Sequence, residues 1–157
     1  MAHSAGPSVS LQVAAPRAIA AVRARIPMRD VSVRFPEYLN HVYAAARDGA
    51  MQLDGQNVFV YRGGADPNEE VDIEFGVGVA APFSGAGPVR YSEVPGGDVA
   101  TATHWGAYAR LGEAHAAVID WCRVHDRTLT GTRWEVYGHW NEDPARCRTD
   151  VYYLLAR

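Results

Sequence analysis

One order of elements occurs twice in this chain, and that internal repeat restricts its architecture more than any other feature. Gly55-x-x-Val58-Phe59-Val60-Tyr61 lies over Gly131-x-x-Trp134-Glu135-Val136-Tyr137, Asp66-Pro67 over Asp143-Pro144, and Asp72-Ile73 over Asp150-Val151. Around these echoes each half reads strand, helix, strand, strand. In the first half residues 17–26 are rich in Ala, Val and Ile and read as a strand. Pro36 suits the first position of a helix running to about residue 48, with Gly49 to end it and Leu39, Val42, Tyr43 and Ala46 as its apolar stripe. Strands are expected over 57–62 and 70–80. In the second of these Val71, Ile73, Phe75, Val77 and Val79 alternate with Asp72, Glu74, Gly76 and Gly78, the period of a strand with one buried face. The second half predicts a strand over 98–104, a helix from about 107 to 125, and strands over 133–140 and 149–156. Between the halves, residues 82–97 hold a weak strand set off by Ser84-Gly85-Ala86-Gly87-Pro88 and Pro95-Gly96-Gly97.

The fold class this predicts is α+β: a duplicated βαββ, its antiparallel sheet carrying two helices on one face, with a ligand cleft at the pseudo-two-fold junction. The expected organisation is a flexible N-terminus over 1–15 and a single domain over 16–157, made of repeats at about 16–81 and 88–157. A single α+β sandwich without a cleft is the alternative that periodicity leaves open.

Composition narrows the function. The chain has 157 residues, enough for one globular domain, and its 15 basic against 18 acidic side chains leave no positive excess to hold a phosphate backbone. Direct nucleic acid binding is not expected. Every basic residue is Arg, so neither a pyridoxal Schiff base nor the lysine of a P-loop is available. Cys122 and Cys147 are the only cysteines and lack CxxC spacing, so they read as free thiols of a reducing compartment. No run of about 18 apolar residues occurs and the first ten residues lack the features of a secretory signal, so the expectation is a cytoplasmic protein without a membrane partner. His115 and His125 lie ten apart with no carboxylate or thiol at ligand spacing, and His41 stands alone; no metal site and no cofactor is expected. Neither a nucleophile elbow nor a paired cysteine supports covalent acyl transfer.

The segment Trp134-Glu135-Val136-Tyr137-Gly138-His139-Trp140 carries the most chemistry. Period two sends Trp134, Val136 and Trp140 to one face and Glu135, Tyr137 and His139 to the other. Glu is a poor strand former, and one flanked by aromatics is either a partly desolvated site residue or an exposed acid on a solvated sheet face. In the repeat, Phe59 and Tyr61 occupy the places of Glu135 and Tyr137, so a two-fold cleft would be lined by those four. One acid facing aromatic rings suits an amphipathic cation, because the rings attract the charge and supply apolar area while the carboxylate neutralises it. A Tyr hydroxyl beside a carboxylate is equally the minimum equipment for acid–base catalysis. His104-Trp105-Gly106-Ala107-Tyr108 marks a strand-to-helix junction, either a simple turn or a place where free helix amides face a ligand.

Residues 94–100 (Val-Pro-Gly-Gly-Asp-Val-Ala), Thr103-His104-Trp105-Gly106-Ala107-Tyr108, Trp121, Trp134-Glu135-Val136-Tyr137 and Asp143-Pro144 together resemble the GyrI-like small-molecule-binding domain, also the effector-binding half of multidrug-responsive transcription regulators. The resemblance covers most of 94–155; residues 17–80 fit mainly by element order. It implies a duplicated fold of two SHS2-like repeats and a central acid in the Glu-x-Tyr strand, here Glu135, that contacts cationic or polar ligands. Tyr137 follows as a cleft residue, and strand parity adds Phe59, Tyr61, Trp105, Trp140, Tyr153 and His104 as candidate ligand contacts. Regulators of this type carry a helix-turn-helix domain; about sixteen residues precede the first expected strand here, so transcription regulation by this chain alone is not expected.

Three functions follow from the resemblance. The first is a binder of small aromatic or cationic compounds, serving drug or toxin resistance. The second is a cofactor-independent hydrolase that opens the cyclopropane ring of DNA-alkylating natural products, with Glu135 activating water and Tyr137 donating a proton. The third is a module contacting gyrase, a partner for which no residue of the sequence speaks.

Overall fold

The computed structural model describes residues 6–157, which divide into two units, one built from the N-terminal residues up to Ala14 with Gly97–Arg157, the other from Ala15–Gly96. In chain order the elements are β1 (Val9–Ala14), β2 (Arg17–Pro27), α1 (Val31–Arg47), β3 (Leu53–Gly63), β4 (Glu70–Val79), β5 (Arg90–Val94), β6 (Gly97–Trp105), α2 (Gly112–Val124), β7 (Leu129–Tyr137) and β8 (Arg148–Leu155). The class is mixed α+β. Each unit holds one helix and four antiparallel strands, ordered β1–β6–β8–β7 in one and β3–β4–β2–β5 in the other. The βαββ order is present in both, and each sheet gains an outer strand from the segment ahead of the other repeat: β1 pairs with β6, and β5 pairs with β2.

Residues 9–14 therefore correct the expectation of a flexible N-terminus, since all six pair with β6 from Val9↔Ala102 to Ala14↔Gly97. Such an edge strand buries little (Leu11 is 49% and Val13 82% exposed), so backbone hydrogen bonds hold it where side-chain periodicity gives no signal. Met1–Ala5, the rest of that expected segment, lie outside the described residues.

Helix α1 starts at Val31, five residues before Pro36, which lies inside the helix. Pro36 and Ser32, whose carbonyl loses its amide partner there, are both exposed, so water replaces the missing bond. Leu39 and Val42 are buried as the stripe requires. Strand β4, paired on both edges by β2 and β3, departs from the half-buried pattern: every residue from Ile73 to Val79 is buried, Gly76 and Gly78 among them. Glu74 tolerates this through Arg62, whose Nη1 lies 2.7 Å from its Oε1.

In the unit containing α2, the core joins Ala100 and Ala102 of β6, Val151, Tyr153 and Leu155 of β8, and Leu111, Ala114, Val118 and Cys122. The last four recur at intervals of three and four, the stripe of an amphipathic helix. Helix α2 starts later than expected, after a 3-10 turn at Tyr108–Arg110. Strand β7 is displaced toward the N-terminus, from 133–140 to Leu129–Tyr137. Among the described residues no helix is long and apolar enough to cross a membrane.

Candidate functional site

Strand β7 places Arg133, Glu135 and Tyr137 opposite Tyr153, Val151 and Thr149 of β8. Period two puts these six on one face, and the packing of Val151, Tyr153 and Tyr137 with Ala114 and Val118 shows that α2 covers it. Glu135 is thus a mid-strand acid turned toward a helix, and it is 5% exposed. A carboxylate so deep needs donors. The Tyr137 hydroxyl donates to its Oε1 at 2.6 Å, and His115 Nε2 on α2 lies 2.7 Å from its Oε2. The other ring nitrogen of His115, Nδ1, lies 2.7 Å from the Tyr153 hydroxyl.

Four side chains from three elements thus form one chain of hydrogen bonds, Tyr137–Glu135–His115–Tyr153. Against an ionised carboxylate, Nε2 carries the proton and donates; a neutral imidazole then leaves Nδ1 to accept from Tyr153. Burial pushes the Tyr153 hydroxyl up to about 12, so it remains a protonated donor through the neutral range. Aromatic edges complete the surroundings: Tyr153 meets the His115 ring edge-on at 5.6 Å, and Tyr108 meets Tyr137 at 5.8 Å. Burial also raises the Tyr108 hydroxyl, with Cys147 adding to the shift. The arrangement offers a buried carboxyl group beside tyrosine rings, in contact with an imidazole that can exchange a proton with it. Thr149, paired with Tyr137 and His104 in the ladders, buries its Oγ1 without a hydrogen-bond partner. Among the described residues no three His, Cys, Asp or Glu converge as a metal site would need.

Of the residues singled out in the sequence, Glu135, Tyr137 and Tyr153 come together. His104 is buried and its Nε2 lies 2.9 Å from the Ala107 carbonyl, so it ties down the turn at Gly106, whose φ of +134° favours glycine. The late start of α2 means that its first amides are not at Gly106–Tyr108. Trp105 is 58% exposed with the Arg148 guanidinium over its ring at 5.6 Å. Trp140 is 70% exposed and lies beyond β7, which corrects the parity that aligned it with Trp134. The strand runs out where its partner does: β8 begins at Arg148, whose carbonyl takes the Gly138 N–H at 2.8 Å, the last bond between the two. Phe59 and Tyr61 belong to the other unit and are buried, Phe59 between Phe35 at 5.8 Å and Phe75 at 5.2 Å.

His115 was not among the candidates, because the sequence offered it only as a metal ligand and found no partner at ligand spacing. The usable signal was its place one helical turn beyond Leu111 and next to Ala114, on the stripe that α2 buries. An imidazole there requires polar partners across the packing interface.

With the geometry established, comparison with known proteins gives the class. Residues 8–155 match the GyrI-like small molecule binding domain, and the chain belongs to that family. Among solved structures it is similar to the C-terminal domain of EcmrR, with a TM-score of 0.79 and 18% identity over 96% of this chain and 98% of that one. It is similar also to SAV2435 bound to tetraphenylphosphonium (TM-score 0.66, 9% identity, 95% and 94% of the two chains). A hydrolase from Listeria innocua has the same fold (TM-score 0.63, 9% identity, 98% and 94%). No curated protein sequence matches the chain.

Proposed function

We propose that this GyrI-like domain is a receptor for amphipathic aromatic cations with Glu135 as the counter-charge. The observation that carries the reading is the burial of Glu135 at 5% exposure among Tyr137, His115 and Tyr153. Where such a carboxylate is ionised, its attraction to a cation is stronger at this depth than in water. Tyr rings beside it supply the cation–π and apolar contacts that a flat or propeller-shaped aryl cation needs. The neighbour SAV2435, bound to tetraphenylphosphonium, supports this class of ligand. A protein that holds such a compound lowers its free concentration, which is how a receptor of this kind contributes to drug or toxin resistance.

The test is a calorimetric titration at pH 8 with tetraphenylphosphonium, whose charge is fixed, against triphenylphosphine oxide, a neutral aryl phosphorus compound. Saturable binding of the cation, at least tenfold tighter than the oxide, is the expected result. Equal affinities, or no saturation, refute the reading.

The contact between Glu135 and His115 favours one second reading, hydrolysis. A carboxylate–imidazole pair can take a proton from water while a hydroxyl protonates the oxygen that gains charge, as cyclopropane ring opening requires. A compound recovered with the mass of one added water, in molar excess over protein, identifies turnover; recovery unchanged identifies the receptor.

A further inference from the structure

We propose that His115 is an internal counter-ion that competes with a bound cation for Glu135, so that the site captures cations when His115 is neutral and releases them when it is protonated. This rests on the reading of Glu135 as the cation's partner. The geometry supports it in two ways. First, His115 Nε2 lies 2.7 Å from Glu135 Oε2, so a proton on the imidazole and a ligand cation would neutralise the same carboxylate. Each therefore weakens the other, by the reciprocity that links any two binding events at one charge.

Second, the partner of the other ring nitrogen suits both states. When His115 is neutral, the Tyr153 hydroxyl donates to Nδ1; when it is charged, Nδ1–H donates and the same hydroxyl turns to accept. Each ring nitrogen has a partner in both states, so the imidazole changes charge without losing a hydrogen bond of its own. A carbonyl in the place of Tyr153 would accept from a proton on Nδ1 in either state and leave the neutral imidazole no proton for Glu135. A main-chain amide would instead forbid the charged state. The hydroxyl, kept protonated by burial, allows both.

The charged and titratable groups facing this pair are few. Strand β7 brings Glu135 and Tyr137 and also Arg133, two residues from Glu135 and directly opposite Tyr153, whose hydroxyl its charge acts on; β8 brings Tyr153. Strand β6 has His104, tied to the Ala107 carbonyl, and Asp98 at its far end; β1 presents Val9, Leu11 and Val13 in those rows. On α2 itself Cys122 is buried two turns on, and Glu113 pairs with Arg110 at the exposed start. Imidazole is the side chain whose unperturbed charge change lies between pH 5 and 8, and that is the window to test.

The experiment measures the dissociation constant of tetraphenylphosphonium for the full chain at pH 8.0 and pH 5.5, in wild type and in His115→Gln. A Gln amide can donate to Glu135 as Nε2–H does but cannot titrate. Wild type is expected to bind at least tenfold more weakly at pH 5.5, within the limit of tenfold per pH unit for one competing proton. The variant is expected to change less than threefold, and neutral triphenylphosphine oxide to show no dependence in either. Calorimetry of wild type at pH 6.5 in buffers of different ionisation enthalpy gives a second readout, release of a fraction of a proton per cation bound, which decides the matter if the variant does not fold. A wild-type affinity that is flat with pH, or a variant with the wild-type slope, overturns the role of His115 and leaves the receptor standing. Absence of cation binding at both pH values overturns both.

Discussion

Replacing Tyr153 by Phe removes one oxygen atom from the end of the hydrogen-bond chain, and its consequences can be worked out from the contacts. The hydroxyl lies 2.7 Å from His115 Nδ1, and the ring is 6% exposed and sits in the core beneath α2. Phe keeps the ring packing and leaves Nδ1 without its donor. Orphaning a buried acceptor costs about 1–3 kcal/mol; the His115 side chain retains 19% exposure, which places the expected loss at about 1–2 kcal/mol. For a chain of this size each kcal/mol moves Tm by about 2–4 °C, so Tyr153→Phe should melt about 2–8 °C lower at pH 8. The gap should then close as pH rises. An unfolded tyrosine ionises near pH 10, whereas burial pushes folded Tyr153 up to about 12. Above pH 10 the unfolded state holds fewer protons than the folded one, so wild-type stability falls with rising pH, by about 1.4 kcal/mol at pH 11 from this residue. Phe lacks that loss. Urea melts of both proteins at pH 8 and pH 11 therefore should show a variant deficit at pH 8 that largely disappears at pH 11. Equal stability at pH 8, or a deficit that persists unchanged at pH 11, refutes the reasoning.

Two further changes probe the surroundings of the site and the other unit. Thr149→Val replaces a buried hydroxyl that has no partner with a methyl of the same shape, so it should stabilise the protein by about 1 kcal/mol, read as a higher urea midpoint; a loss of stability would show that the hydroxyl is bonded. Asp72 is held below the usual carboxylate range chiefly by its hydrogen bonds from Arg23, so its contribution is present above pH 4 and is lost as pH falls through its lowered folded value. Because the Arg23 side chain is 63% exposed, the loss in Asp72→Asn at pH 7 should be only about 0.5–1 kcal/mol and should shrink as the pH falls below 4; a larger penalty, or one that does not shrink in acid, contradicts it.

The element order and the shared face of Glu135 and Tyr137 were legible in the sequence because they rest on local periods. Strand parity needs only neighbouring residues, and the repeat supplied each element a second time. The errors lie where something non-local decides. Pro36 marks a helix start in isolation, yet the exposure of Ser32 and Pro36 lets α1 begin a turn earlier. Trp140 keeps parity with Trp134 only while the strand continues, and its partner β8 extends no further than Arg148, beside Gly138. Strand β1 is recruited by the open edge of β6, some 80 to 90 residues away in the chain, and buries too little to leave a pattern. His115 is the instructive omission. Its partners are on β7 and β8, 20 and 38 residues further on, and only the packing of α2 over the sheet brings them into contact.

The central claim is that the buried charge of Glu135 is what a ligand cation meets. Glu135→Gln keeps the shape, and an amide still bonds both neighbours if either the His115 tautomer or the Tyr137 hydroxyl turns about, so the fold should persist. Titration of tetraphenylphosphonium at pH 8 into wild type and this variant, each checked for native folding by circular dichroism, isolates the charge. The account predicts that the variant binds about 10- to 150-fold more weakly, the equivalent of about 1.5–3 kcal/mol for an interaction with a charged group. A folded variant that binds the cation as tightly as wild type would contradict it.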